Sequence, residues 1–202
     1  MDILETFKAG GPVMYLMLLG SFCVTVIMIE RFMFYRHAER GMRSFVEQLP
    51  LLLEGRNWWD IYESIKNEDS APAYVAVEGV KAMAEGRDSE LALDVAYNTA
   101  AAELRTRLNY LSVLVTLSPL LGLLGTIIGM ISSFNIFNLQ AGQPMAITGG
   151  IGEALIATAT GLCVAIFALV VHSYFAQKMD VILTAVEQAQ AIVTSEARKR
   201  GR

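Results

Sequence analysis

Ser118-Pro-Leu-Leu-Gly-Leu-Leu-Gly-Thr-Ile-Ile-Gly-Met-Ile-Ser-Ser-Phe134 decides the fold. The stretch lies in an uncharged apolar run from about Leu111 to Phe137, long enough to cross a bilayer as a helix. A surface that meets only lipid has no need of so much glycine and hydroxyl. Gly122, Gly125 and Gly129, with Ser118, Ser132 and Ser133, recur at steps of three or four, so a helix gathers them into one small, polar stripe. Such a stripe admits another helix at close range or lines a pathway. Thr126 sets a hydroxyl halfway along it. Function is therefore expected between helices inside a membrane.

Two further runs have the same character. One extends from Val13 to about Ile29 and the other from about Ala154 to Ala176. Each has close to the ~20 residues that a helix needs to span hydrocarbon. Three such segments account for the 54% hydrophobic content of a 202-residue chain. The first is not expected to be a cleaved signal: Met1 to Gly11 carries Asp2, Glu5 and Lys8, is not basic, and leads to no small-x-small cleavage site before a soluble domain. In the third, Ala154, Ala157, Thr158, Gly161, Ala165, Ala168 and His172 form a second small-residue stripe. Phe175, Met179, Ile182, Val186, Ala189 and Val193 continue it at nearly the same spacing. One long helix is predicted to run from the outer leaflet well past the membrane, with its seam facing sister helices.

The basic residues set the orientation. Arg31, Arg36, Arg40 and Arg43 follow the first run, Arg105 and Arg107 precede the second, and Lys178, Arg198, Lys199, Arg200 and Arg202 follow the third. Residues 1–12 hold only Lys8, and residues 138–150 hold no lysine or arginine. Positive-inside logic gives a periplasmic N-terminus over 1–12, a span over 13–34 and a cytoplasmic domain over 35–109. A span over 110–137, a periplasmic link over 138–150, a span over 151–176 and a cytoplasmic tail over 177–202 complete the order. The cytoplasmic part reads as helical. One helix is expected over Arg40–Leu53, stopped near Gly55, and a second carries Trp58, Ile61, Tyr62 and Ile65. Ser70 with Pro72 starts a third, and Asp88 or Ser89 caps a fourth. No strong breaker follows, so the fourth helix is expected to continue into the second span. No segment alternates as a strand would. The fold class is all-α.

No catalytic constellation is present, and an enzyme is not expected. No glycine-rich loop leads to a phosphate-binding lysine, and Gly149-Gly-Ile-Gly152 reads as a turn before a helix. Cys23 and Cys163 both fall in apolar segments, which argues against a disulfide, and no metal-ligand spacing or cofactor motif occurs. A net charge of −4 offers nothing to nucleic acid. His172 is either a packed neutral histidine or part of a relay, with no partner visible for the latter. No carboxylate sits in mid-membrane; Glu30 and Glu153 lie near the ends of spans. Proton transfer through the membrane would need a titratable group from another chain. This chain offers the hydroxyls of Thr126 and Thr158, which either face an ion path or bond back to their own helices.

The blocks Gly122-Leu-Leu-Gly-Thr126-Ile-Ile-Gly-Met-Ile-Ser-Ser-Phe134 and Gly149-Gly-Ile-Gly-Glu153-Ala-Leu-Ile-Ala-Thr158-Ala-Thr-Gly161-Leu resemble the signature segments of the MotA/TolQ/ExbB proton channel family. The three-span plan with a large cytoplasmic loop resembles its ExbB and TolQ branch; MotA-type chains are longer and have four spans. The resemblance implies a homopentamer around the single transmembrane helices of an ExbD- or TolR-type partner whose membrane aspartate exchanges protons. It implies a TonB- or TolA-type protein beyond that, and work at the outer membrane, either nutrient import or envelope maintenance. It places Thr126 and Thr158 at the lumen, Glu153 at the periplasmic mouth, and Gly122, Gly125, Gly129 and Gly161 at helix contacts. Proton and sodium both remain open as the ion. So do two other classes: a passive oligomeric scaffold, and a permease driven by a separate ATPase.

Overall fold

The computed structural model describes Phe7, residues 10–139 and residues 144–200. Seven helices are defined among them, with no strand: α1 (Val13–Ala38), α2 (Met42–Leu53), α3 (Trp58–Ile65), α4 (Ala71–Ala84), α5 (Ser89–Arg105), α6 (Leu108–Leu139) and α7 (Pro144–Arg200). Helices α1, α6 and α7 each contain a stretch long and apolar enough to cross a membrane. The chain divides into two units, Met1–Ile29 with Arg107–Tyr174 and Glu30–Thr106 with Phe175–Arg202.

The first unit holds the apolar parts of α1, α6 and α7. Many of its large side chains point outward: Tyr15, Phe22, Leu120, Leu155 and Ile166 are each at least 60% exposed. Its small ones point inward, with Ala154, Ala157 and Ala168 at 3% exposure or less. A water-soluble bundle has the opposite arrangement. In hydrocarbon, large apolar groups gain nothing by hiding from the solvent, and contact between helices rests on close approach of small residues.

The second unit has a conventional apolar core. Phe45, Leu49, Leu53, Ile61, Ile65, Val75, Leu93, Ile182, Val186 and Val193 are all at or below 4% exposure. The helix ends follow their local chemistry. Ser70 caps α4 by accepting from the Ala73 amide, and the Asp88 carboxylate accepts from the amides of Glu90 and Leu91 at the start of α5. Gly41, Gly55 and Gly86 take positive φ at the turns between helices, as the stop signals require. Along α5 and α7, Tyr97 donates to Glu187, Gln190 donates to Asp94, and Arg198 pairs with Glu90 at 2.9 Å. Residues rising along α5 meet residues falling along α7, so the two run antiparallel. Lys178 grips both oxygens of Glu39 at 2.8 and 2.9 Å.

The C-terminal end of α1 closes the last turn of α5. The last carbonyls of a helix run short of amides to accept from, and here the Thr106 amide reaches only Ala102 O and, at 3.3 Å, Glu103 O. Tyr35 Oη donates to Leu104 O at 2.6 Å, and Arg31 donates to Glu103 O at 3.3 Å while paired with Glu30 at 2.8 Å. Burial pushes the Tyr35 phenol up to about 12, partly opposed by the Arg31 charge beside it. We expect Tyr35→Phe to leave the Leu104 carbonyl buried without its donor and to destabilise the protein by about 1–3 kcal/mol, read as a fall in melting temperature in detergent. The folded state holds the phenol proton more tightly than the unfolded chain does. This contribution is therefore full below the ordinary tyrosine value of 10.0 and is lost as pH rises toward about 12.

Two expectations are corrected here. The fourth cytoplasmic helix does not run on into the second span: α5 ends at Arg105, and α6 begins at Leu108 after a turn in which Arg107 takes φ 67. The Thr106 hydroxyl and amide both bond to Ala102 O, which closes α5 there without glycine or proline. Gly149-Gly-Ile-Gly152 is not a turn but lies inside α7. Helix α6 reaches Leu139 and α7 starts at Pro144, so within the predicted link of 138–150 only residues 140–143 lie outside the described residues.

Candidate functional site

Helices α6 and α7 pack antiparallel along their glycines. A Cβ on Gly129 would stand 3.0 Å from Gly150 O and 3.1 Å from Ala154 Cβ. On Gly125 it would stand 2.6 Å from Ala157 Cβ, on Gly122 3.1 Å from Thr158 Cα, and on Gly161 2.7 Å from Ser118 O. These separations leave no room for a side chain. Partner numbers rise on one helix as they fall on the other, so the contact continues over about three turns. Gly150 faces the Ser133 hydroxyl, into which any Cβ would run. Helix α1 joins the same seam: Met17 Cε lies 2.9 Å from a Cβ position at Gly161, and Val13 lies 3.7 Å from one at Gly125. The stripe expected to receive sister helices is thus occupied within a single protomer.

The hydroxyls follow from this register. Thr158 Oγ1 donates across the seam to Gly122 O at 3.1 Å. Thr126 Oγ1 donates to Leu123 O within its own helix at 2.6 Å. The two threonines therefore reach neighbouring carbonyls on one turn of α6, and each is half-buried rather than sealed between helices. Thr160 is also half-buried, but bonds to Ile156 O on its own helix and makes no contact of this kind across the seam.

Glu153 is placed elsewhere. Its carboxylate lies against Gly11, just before α1, where a Cβ would run into Oε1 and would come within 3.5 Å of Cγ. Gly11 holds φ 72, a conformation that suits glycine. An acid beside the start of a helix is favourably placed toward the unpaired amides and the positive end of its dipole. Five residues along α7 turn Glu153 about 140° away from Thr158, so the two do not share a face. His172 is half-buried on α7.

Two features went unpredicted. The bond from Thr158 to Gly122 O needs the helix register, which local spacing does not supply. The seat of Glu153 on Gly11 had a weak signal in the Gly10-Gly11-Pro12 run before the first span.

Comparison with known proteins gives the family. The profile described as the MotA/TolQ/ExbB proton channel family matches residues 65–188. An ExbB-like biopolymer transport protein of Synechocystis is 32% identical over 88% of this chain and 74% of its own. The biopolymer transport protein ExbB of Neisseria meningitidis is 28% identical over 86% and 87%. The Tol-Pal system protein TolQ of Pseudomonas aeruginosa is 33% identical over 50% and 46%. With its glycine-packed pair of apolar helices and the threonine on each, the chain belongs to the MotA/TolQ/ExbB proton channel family.

Proposed function

We propose that this chain is the ion-conducting subunit of an inner-membrane motor. Five copies form a ring around the single transmembrane helices of an ExbD- or TolR-type partner. The partner's membrane aspartate carries the proton, and the ring supplies the lining. Protons moving down their gradient drive rotation or displacement of the partner, which passes the work to a TonB- or TolA-type protein and so to the outer membrane. The chain itself performs no covalent chemistry. It is a multi-pass protein with the N-terminus outside and the C-terminus in the cytoplasm, as the basic residues flanking the three apolar stretches favour.

One observation carries this reading. The Thr126 and Thr158 hydroxyls donate to the successive carbonyls of Leu123 and Gly122 on α6, and the apolar stretches around them hold no carboxylate of their own. A lining without an acid is half of a proton path, and a partner acid would complete it. The ExbB relatives are named biopolymer transport proteins, and TonB-dependent import is our first reading of the work done; envelope maintenance is the second, beside a relative named as a Tol-Pal system protein.

The test is purification of the chain with the single-span protein encoded beside it, followed by native mass spectrometry and proton uptake in liposomes. Five copies with partner-dependent uptake are expected. Uptake that ignores the gradient, or a complex holding no acid-bearing partner, would leave the chain as a passive scaffold.

A further inference from the structure

The basic residues that follow the first apolar stretch divide into two kinds. Arg31 is buried, pairs with Glu30 and donates to Glu103 O. Arg36, Arg40 and Arg43 are exposed, and among the described residues none of the three makes an ion pair or a side-chain hydrogen bond. The acids around them are engaged elsewhere. Glu30 is held by Arg31, Lys178 grips both oxygens of Glu39, and Asp69 pairs with His37 at 2.9 Å. Glu47, one turn along α2 from Arg43, makes no ion pair with it. Three guanidinium charges are therefore left uncompensated within eight residues.

Their place along the chain gives them an apolar neighbour. Phe32 and Met33 are 48% and 64% exposed. Met33, Arg36 and Arg40 follow one another at steps of three and four, which keeps them on one face of a helix. Arg40 lies in the turn after α1, where its amide donates to His37 O at 3.0 Å. Arg43 is in the first turn of α2. Helix α1 has 26 residues, about 39 Å at 1.5 Å each, against about 30 Å of hydrocarbon. Counted from Val13, the hydrocarbon ends near Phe32 and Met33. Arg36 then stands about 5 Å further on and Arg40 about 10 Å, which is the depth of the headgroups.

We propose that Arg36, Arg40 and Arg43 hold the phosphate of an anionic phospholipid, of the phosphatidylglycerol kind, whose acyl chains lie against Phe32 and Met33. The proposal rests on α1 crossing the bilayer and makes no use of the ion path. A guanidinium offers phosphate oxygens a planar fork of donors. Charge alone would suit a free anion or an acidic peptide equally well. The exposed phenylalanine and methionine one turn before the charges suit a ligand that is apolar on one side and acidic on the other, and a lipid is both.

The full chain is purified in an uncharged detergent, and its lipid binding is titrated by native mass spectrometry with dioleoyl phosphatidylglycerol and, separately, dioleoyl phosphatidylcholine. The principal variant is Arg36→Gln with Arg40→Gln. Arg43→Gln alone is the second, so that poor folding of the double variant cannot hide the result. Arg36→Lys with Arg40→Lys, which keeps the charge, is the rescue. Arg56→Gln is the control: it lies past the far end of α2, is exposed, and only its carbonyl is used, as an acceptor from Arg200.

We expect phosphatidylglycerol to bind in preference to phosphatidylcholine. Each arginine lost should weaken it about fivefold, so the double variant should fall by tenfold or more. The lysine variant should recover most of the affinity, and Arg56→Gln should match the wild type. Added potassium chloride should weaken the binding as it screens the charges. Equal binding of the two lipids, or an equal loss in Arg56→Gln, overturns the proposal. So does displacement of the lipid by inorganic phosphate at like concentration, which would make the site a reader of free anions. Unchanged lipid binding in the variants together with a smaller assembly would give this face to another copy of the chain, and also overturns it. None of these readouts depends on proton uptake, so the ion path stands or falls separately.

Discussion

Gly129→Leu should leave no folded protomer to recover from the membrane. The Cβ position at Gly129 already stands 3.0 Å from Gly150 O and 3.1 Å from Ala154 Cβ, and leucine adds three more carbons beyond it. Two of the atoms in the way, Gly150 O and the Ala154 amide nitrogen, are backbone, so no side-chain rotation relieves the clash. The helices must separate, and a seam of small residues holds nothing at longer range. Forcing bulk into a well-packed contact costs about 1–3 kcal/mol where neighbours can move, and more where backbone blocks it. Gly152→Ala is the control. It lies two residues from Gly150 on the same helix, and a Cβ there meets no atom within 4 Å. Exchanging glycine for alanine in a helix interior should leave stability unchanged or raise it by up to about 1 kcal/mol. Yield after extraction, elution as a single species and melting temperature are the readouts. A Gly129→Leu protein that melts with the wild type would mean that α6 and α7 do not meet along this face.

Thr158→Val should fold and yet conduct poorly. Valine keeps the β-branched shape and loses the hydroxyl. The helix seam then lacks one hydrogen bond, a net loss of about 0.5–1.5 kcal/mol, which a protomer held by glycine packing over several turns should survive. The proposed ion path loses one of its two threonine oxygens. A loss of about 1.4 kcal/mol in the barrier is tenfold in rate, so partner-driven proton uptake should fall roughly tenfold. Thr160→Val controls for the change of residue type. It removes only a bond back to Ile156 O, and its side chain points about 200° away from Thr158. Both variants need the same ring integrity by native mass spectrometry before uptake is compared. Equal uptake in the two would remove Thr158 from the pathway without disturbing the fold.

Much of the architecture was legible in the chain because its signals are local. Gly55 ends a helix by admitting positive φ, Asp88 begins one by accepting from two amides, and three charge-free runs are long enough to span a bilayer. The α5–α6 break escaped notice because Thr106 and Arg107 carry no common stop signal; a threonine bonding back to Ala102 O closes the helix instead. The glycines of 149–152 looked like a turn for the opposite reason. Glycine is frequent in turns, but at Gly150 it answers to a neighbouring Ser133 that leaves no room for a Cβ. The candidate threonines could be named from spacing alone. That Thr158 bonds to the other helix and Thr126 to its own depends on which turn of α6 faces which turn of α7, and that register is a property of the packed pair.

The glycine seam also has a genetic consequence. In the five-membered ring proposed above, the seam closes each chain on itself and leaves the larger side chains for contact between copies, so a chain that closes correctly can join the ring. A Thr158→Val allele expressed beside the wild type should enter mixed rings and behave as dominant, with a single faulty copy slowing four sound ones. A Gly129→Leu allele should never reach the ring, and should be recessive.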